Sequence, residues 1–219
     1  MAMHVLLALM VVAASPTQMI VMERPDLPKA GPATMDIAGV KLGMSPAEVS
    51  AALVRSGYAI ARTDDTNDFE QEVASEANVR LKGSGLRRVT PGGVSRIVAH
   101  GPGREYLTIE FAQWPAGSLA AAVSFTVPEE RQSREAFRAQ VMARYGQATL
   151  QPGGHEPRWC TAGDADCTIM SSPSQPSLSA SFLSQSLWLR YGEEIDRQRR
   201  QAVEAAIDAK VPPAARSAF

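Results

Sequence analysis

Histidine is scarce in this sequence, cysteine occurs only twice, and charge of one sign does not accumulate. There are 3 His and 2 Cys in 219 residues, with 22 Lys plus Arg against 23 Asp plus Glu. The charge balance leaves no electrostatic footprint for nucleic acid or an anionic membrane. Two cysteines cannot build a disulfide framework, and past the first residues no apolar run approaches the ~18 residues that signal a membrane span. Disorder throughout is argued against by composition, since 45% of the residues are hydrophobic and can supply a core.

What the chain does contain begins with an uninterrupted apolar run from Val5 to Ala14, followed by Ser15 and Pro16. About 10 apolar residues ending in small ones suit a secretory leader and fall short of the ~20 of a transmembrane helix. Val12-Ala13-Ala14 offers cleavage after Ala14 or Ser15, giving a leader over residues 1–15, although only His4 and the amino terminus stand where Lys or Arg is usual. No cysteine follows the run, so no lipid anchor is expected. Residues 16–35, with Pro25, Pro28 and Pro32, keep no period and are expected to form a flexible tether. The expected destination is therefore the periplasm or the exterior, as a protein without a membrane span.

Cys160 and Cys167 flank Thr161-Ala162-Gly163-Asp164-Ala165-Asp166, a turn-rich stretch between β-prone residues, which reads as a hairpin. An exported chain favours a disulfide across it. The alternatives are a metal or thiol site built on His155, Cys160 and Cys167, with Glu156, Asp164 or Asp166, or two free thiols. The Cys-x6-Cys spacing does not match a structural zinc pair.

Leu42-Gly43-Met44-Ser45-Pro46-Ala47-Glu48-Val49 opens a helix. Ser45 is the cap, Pro46 the first helical residue and Glu48 the far member of a capping box. Val49, Ala52 and Leu53 form its apolar stripe and Gly57 its stop. A second helix is expected over Asn67 to Leu81, on Phe69, Val73, Ala77 and Leu81, making a helix-loop-helix. Strands follow over Val94 to His100, around Leu107, Ile109 and Phe111, and over Leu119 to Val127. After a helix from Arg134 to Tyr145, stopped at Gly146, come the cysteine hairpin, a strand over Ser177 to Leu183 and another around Leu187 and Leu189. A charged helix from Glu193 to Lys210 then ends at Pro212 and Pro213, its apolar positions Ile195, Val203 and Ile207 too sparse for a deep face.

The fold class is thus α+β: a helix-loop-helix packed on an antiparallel sheet, plus a C-terminal helix. The expected organisation is a first α-α-β-β-β unit over 36–128, a second helix-plus-sheet unit over 129–192, and a C-terminal helix and tail over 193–219. Val49, Leu53 and Val54 align with Phe137, Val141 and Met142, which allows a tandem repeat of two such units or merely two amphipathic helices of similar pattern. The Leu42 to Val49 segment, a hydrophobic-Gly-Met-Ser/Thr opening of a helix, resembles the small exported proteins of the SmpA/OmlA and β-lactamase-inhibitor-like (BLIP-like) group. That resemblance implies a helix-loop-helix on an antiparallel sheet, sometimes in tandem, and protein binding through the exposed sheet face. The absence of a lipobox cysteine departs from the lipoproteins of that group.

Raw material for catalysis is thin, and no cofactor or metal is expected. His100 with Ser84 or Ser95 and Glu105 could be assembled into a hydrolytic constellation, and His155 is a second candidate, but no G-x-S-x-G, S-x-x-K or HExxH motif accompanies either. Aromatic residues carry the interface signal. Trp188, Trp114 and Tyr106 are the candidate partner-binding residues, with Trp188 facing opposite to Leu187 and Leu189 in strand alternation. The expectation is a non-catalytic binding or envelope-accessory protein whose partner is another envelope or periplasmic protein.

Overall fold

The computed structural model describes residues 22–81, 90–151, 156–168 and 173–211. The leader over 1–15, the first part of the tether, Ser84, His155, Pro212 and Pro213 lie outside the described residues.

Helix α1 (Pro46–Arg55) starts as its sequence dictates: the Glu48 carboxylate accepts from the Ser45 N–H (2.7 Å), and the Ser45 hydroxyl accepts from the Glu48 N–H (3.4 Å). The chain continues through strand β1 (Ala59–Thr66), helix α2 (Phe69–Arg80), strands β2 (Gly93–His100), β3 (Tyr106–Trp114) and β4 (Gly117–Thr126), and helix α3 (Arg134–Tyr145). Strands β5 (Arg158–Cys160), β6 (Ser177–Ser181) and β7 (Ser186–Arg190) and helix α4 (Glu193–Lys210) complete it. The class is α+β. All seven strands form one antiparallel sheet in the order β1-β2-β3-β4-β7-β6-β5, so the stretches 36–128 and 129–192 meet where β4 pairs with β7.

Register sorts the sheet into two faces. Ile97, Ile109, Val123, Leu189, Leu178 and Trp159 lie side by side across β2, β3, β4, β7, β6 and β5, and Ala99, Leu107, Phe125, Leu187 and Ala180 form the neighbouring row. These rows join Val49, Ala52 and Leu53 of α1 and Phe137 and Val141 of α3 in one core. Each Leu or Ile fully buried there contributes about 1.5–3 kcal/mol. Because the side-chain period of a strand is 2, the polar residues between them all point the other way.

Five expectations are corrected. The segment between α1 and α2 is not a loop but β1, an edge strand whose residues are mostly exposed on both sides, so it carries no apolar alternation. The alternation expected along β4 breaks at Ala121: a register shift sets Glu110 against Ala122 but Phe111 against Ala120, so Leu119 and Ala120 are both buried. The cysteines do not close a hairpin; β5 pairs with β6, and Cys167 sits in an irregular loop. From Met22 onward the tether is docked, with Leu27 packed on the core, Glu23 O accepting from Ala116 N–H (3.1 Å) and a 3-10 turn over Gly31–Thr34 burying Pro32 and Ala33. Finally, α4 does pack firmly: Ala202, Ile207 and Val211 meet Phe69, Val73 and Ala77 of α2 in a second core.

Candidate functional site

The face of the sheet turned away from α1 and α3 is mostly polar, with Val98, Ser177, Ser181 and Ser186 buried on it, and register fixes its layout. One row runs Asp64, Arg96, Glu110, Ala122, Arg190 and Ser177 from β1 to β6. The next runs Arg62, Val98, Thr108, Ser124, Trp188, Ser179 and Arg158 from β1 to β5. The third runs His100, Tyr106, Thr126, Ser186 and Ser181 from β2 to β6. At ~4.8 Å per strand and ~6.8 Å per row, the three rows lie within roughly 29 Å by 14 Å of backbone.

Small hydroxyl residues carpet its centre and large side chains stand out from it. Trp188, 37% exposed, rises between Ser124 and Ser179. Tyr106, 44% exposed, stands one row away, tilted against its cross-strand neighbour His100 at 5.3 Å between ring centroids. Beside Trp188 is a depression of about 410 Å³ lined by Thr108, Glu110, Ala122, Ser124, Ser179 and Arg190. At the β1 edge, Asp64 is clasped by both Arg62 (3.1 Å) and Arg96 (2.6 Å), which consumes its charge.

The opposite edge is held by the cysteines. Cys160 and Cys167 pair with each other, Cα atoms 6.2 Å apart. Inside the loop between and after them, the Asp164 carboxylate accepts from the Ser174 hydroxyl (2.8 Å), the Asp166 N–H (3.1 Å) and the Gln175 N–H (3.2 Å). The loop in turn grips Arg158, whose guanidinium donates to Thr168 O at 2.6 Å. Burial, and then the neighbouring charge of Arg190, hold the Arg158 pKa below the usual arginine value, while Glu156 acts in the opposite direction.

The remaining sequence candidates fall elsewhere. Trp114 is completely buried, so it offers nothing to a partner and is corrected to a core residue. Trp159 is buried as well, its indole N–H donating to Gly146 O at 3.2 Å. The Ser95, His100 and Glu105 constellation does not assemble. The Ser95 hydroxyl donates to Asp64 O (3.0 Å) about 16 Å along the strand from His100. The Glu105 carboxylate accepts from the Gly103 N–H (2.8 Å), tying down its own turn. Among the described residues no three His, Cys, Asp or Glu side chains group around a point, and His155 lies outside them. Sequence reasoning missed Arg62, Arg96, Arg158, Arg190, Ser124 and Ser179. Their signal was the polar half of each strand's alternation, which had been read for its apolar half.

A larger groove of about 1020 Å³ lies on the helical side, between the start of β1 and α3. Several of its polar walls already serve each other: Arg144 pairs with Asp36 (2.5 Å), and the Tyr145 hydroxyl donates to Asp36 O (2.7 Å). Burial pushes the Tyr145 pKa up to about 12, which keeps this donor protonated. The open face differs in presenting aromatic and cationic side chains outward. Comparison with family models, curated proteins and solved structures found no match.

Proposed function

We propose that this protein is an exported, non-catalytic binding module of the cell envelope, whose open sheet face receives another envelope or periplasmic protein. The observation that carries the reading is the composition of that face: exposed Trp188 and Tyr106, set among arginines and small hydroxyl residues. Trp, Tyr and Arg are the residues that dominate binding energy at protein interfaces, a few of them each accounting for ~2 kcal/mol or more. Short Ser and Thr neighbours leave room for a partner's side chains around Trp188. Export is supported by the leader-like run Val5 to Ala14 and by the bonded cysteines, which persist in oxidising compartments.

The test is photo-crosslinking in the native host, with a photoreactive residue at Trp188, at Tyr106 or at Val54, which is exposed on α1. The expected outcome is one discrete adduct from positions 188 and 106 and none from 54. Equal yields from all three positions, or no adduct from the face, would refute the reading. Intact mass of the same material, with and without reductant, checks leader removal and the cysteine bond together.

A further inference from the structure

The depression beside Trp188 carries opposite charges at its two ends. Register sets Glu110, Ala122 and Arg190 in one row on the neighbouring strands β3, β4 and β7, and all three line the depression of about 410 Å³. The backbones of Glu110 and Arg190 are two strand spacings apart, ~9.6 Å, and Ala122 between them is too short to fill the gap. Thr108, Ser124 and Trp188 make the next row, so the charged ends flank a floor of small residues with one indole wall.

Among the described residues, neither Glu110 nor Arg190 has an ion pair or a side-chain hydrogen bond. Arg96, the cross-strand neighbour of Glu110, is held by Asp64 at 2.7 Å. At ~9.6 Å the attraction between Glu110 and Arg190 is weak, and neither neutralises the other. Side chains stand roughly perpendicular to a sheet, so the charged ends keep about the separation of their backbones. Two charge-assisted hydrogen bonds of ~2.8 Å each then leave about 4 Å for whatever joins them. The ammonium nitrogen of an α-amino acid and the farther oxygen of its carboxylate are roughly 3.5 Å apart, and one more residue adds ~3.5 Å and overshoots the gap. A carboxylate also matches a guanidinium in planar, two-bond geometry. Trp188 offers the remaining wall an apolar surface for a side chain.

We infer that the depression is a binding site for a free α-amino acid with an apolar side chain, its ammonium on Glu110, its carboxylate on Arg190 and its side chain against the Trp188 indole. Ala122 lies beneath the α-carbon, and the Thr108 and Ser124 hydroxyls border the charged groups. The site stands apart from the partner-binding reading above, since no part of it requires a protein partner.

The experiment is an NMR titration of the full exported chain with L-phenylalanine and L-leucine, and with two analogues that each keep one charge, phenethylamine and 3-phenylpropionate. Both amino acids are expected to shift the amides of Ala122, Ser124, Trp188 and Arg190, and each analogue is expected to bind at least tenfold more weakly than L-phenylalanine. Glu110→Gln and Arg190→Gln are each expected to weaken L-phenylalanine at least tenfold, whereas Arg55→Gln on α1 leaves it unchanged. Ala122→Leu, which fills the floor and keeps both charges, is expected to abolish binding, with the unaltered amides of the core strands checking that the variant is folded. No shifts with either amino acid at millimolar concentration would overturn the inference. So would 3-phenylpropionate or phenethylamine binding as well as L-phenylalanine, a Glu110→Gln protein that binds like the parent, or shifts centred on the groove of the helical side.

Discussion

Two tryptophans of this chain show how position decides what the same side chain does. Trp114 is enclosed in the main core and Trp188 stands on the open face. Trp114→Ala is expected to cost about 3–5 kcal/mol by leaving a cavity, and Trp188→Ala no more than about 1 kcal/mol. Urea unfolding of both variants checks this, and equal losses would mean that Trp188 is structural. A second residue-scale test concerns Glu48. The hydrogen bond from the Ser45 backbone, and then that from the Ser45 hydroxyl, lower its pKa below the ordinary carboxylate value. A carboxyl depressed on folding stabilises the folded state above the unfolded pKa of ~4.3, and loses that contribution as pH falls through its folded value. The stability gap between the parent and Glu48→Gln is therefore expected to be constant at neutral pH and to shrink below about pH 4. A gap that widened in acid would contradict the assignment.

At the scale of elements, closure of the Cys160–Cys167 loop is expected to stabilise the fold by about 2–3 kcal/mol on the chain-entropy account. The Cys160→Ser/Cys167→Ser protein should show that loss in urea, together with increased amide exchange at Thr168 and Arg158. Unchanged exchange there would mean that the Asp164 hydrogen bonds hold the loop unaided. The cysteine proximity was readable from the sequence, whereas the partner of β5 was not. Three residues give no period, and β6 supplies their ladder from well beyond the loop. The helices were readable because their ends carry local chemistry: Ser45 with Glu48, Ser133 before α3, and Gly146 with φ of 75° after it. Strand β1 was not, because Ala59 to Thr66 is an edge whose stability comes from its ladder to β2 and not from burial. Its charges and two register shifts also blunt an edge that could otherwise pair with another chain.

At the scale of the whole molecule, the sheet order sets β2, β3 and β4 against β7, β6 and β5; α3, directly before β5, and α1, separated from β2 by β1 and α2, feed the same core. The last strand of one trio pairs antiparallel with the last strand of the other, the arrangement a two-fold relation between halves would give. Joining the trios edge to edge makes a sheet wide enough that one face is buried under α1 and α3 while Trp188 and Tyr106 stand exposed on the other. Helices α2 and α4 stand outside that scheme. They hold each other through Phe69, Val73, Ala77, Ala202 and Ile207, with Arg199 paired to Glu72 and Arg80 to Glu204. The burial of α4 escaped sequence reasoning because its few apolar side chains need no wide stripe when they meet one equally short stripe on α2. Two separate cores imply two separable losses. Ile207→Ala is expected to cost about 2–4 kcal/mol and to raise amide exchange in α2 and α4 together, leaving β4 and β7 protected. Leu189→Ala, at the junction of the two trios, is expected to cost a similar amount but to raise exchange across the whole sheet. Hydrogen exchange on the two variants decides between this arrangement and a single cooperative unit, in which both substitutions would loosen every element alike.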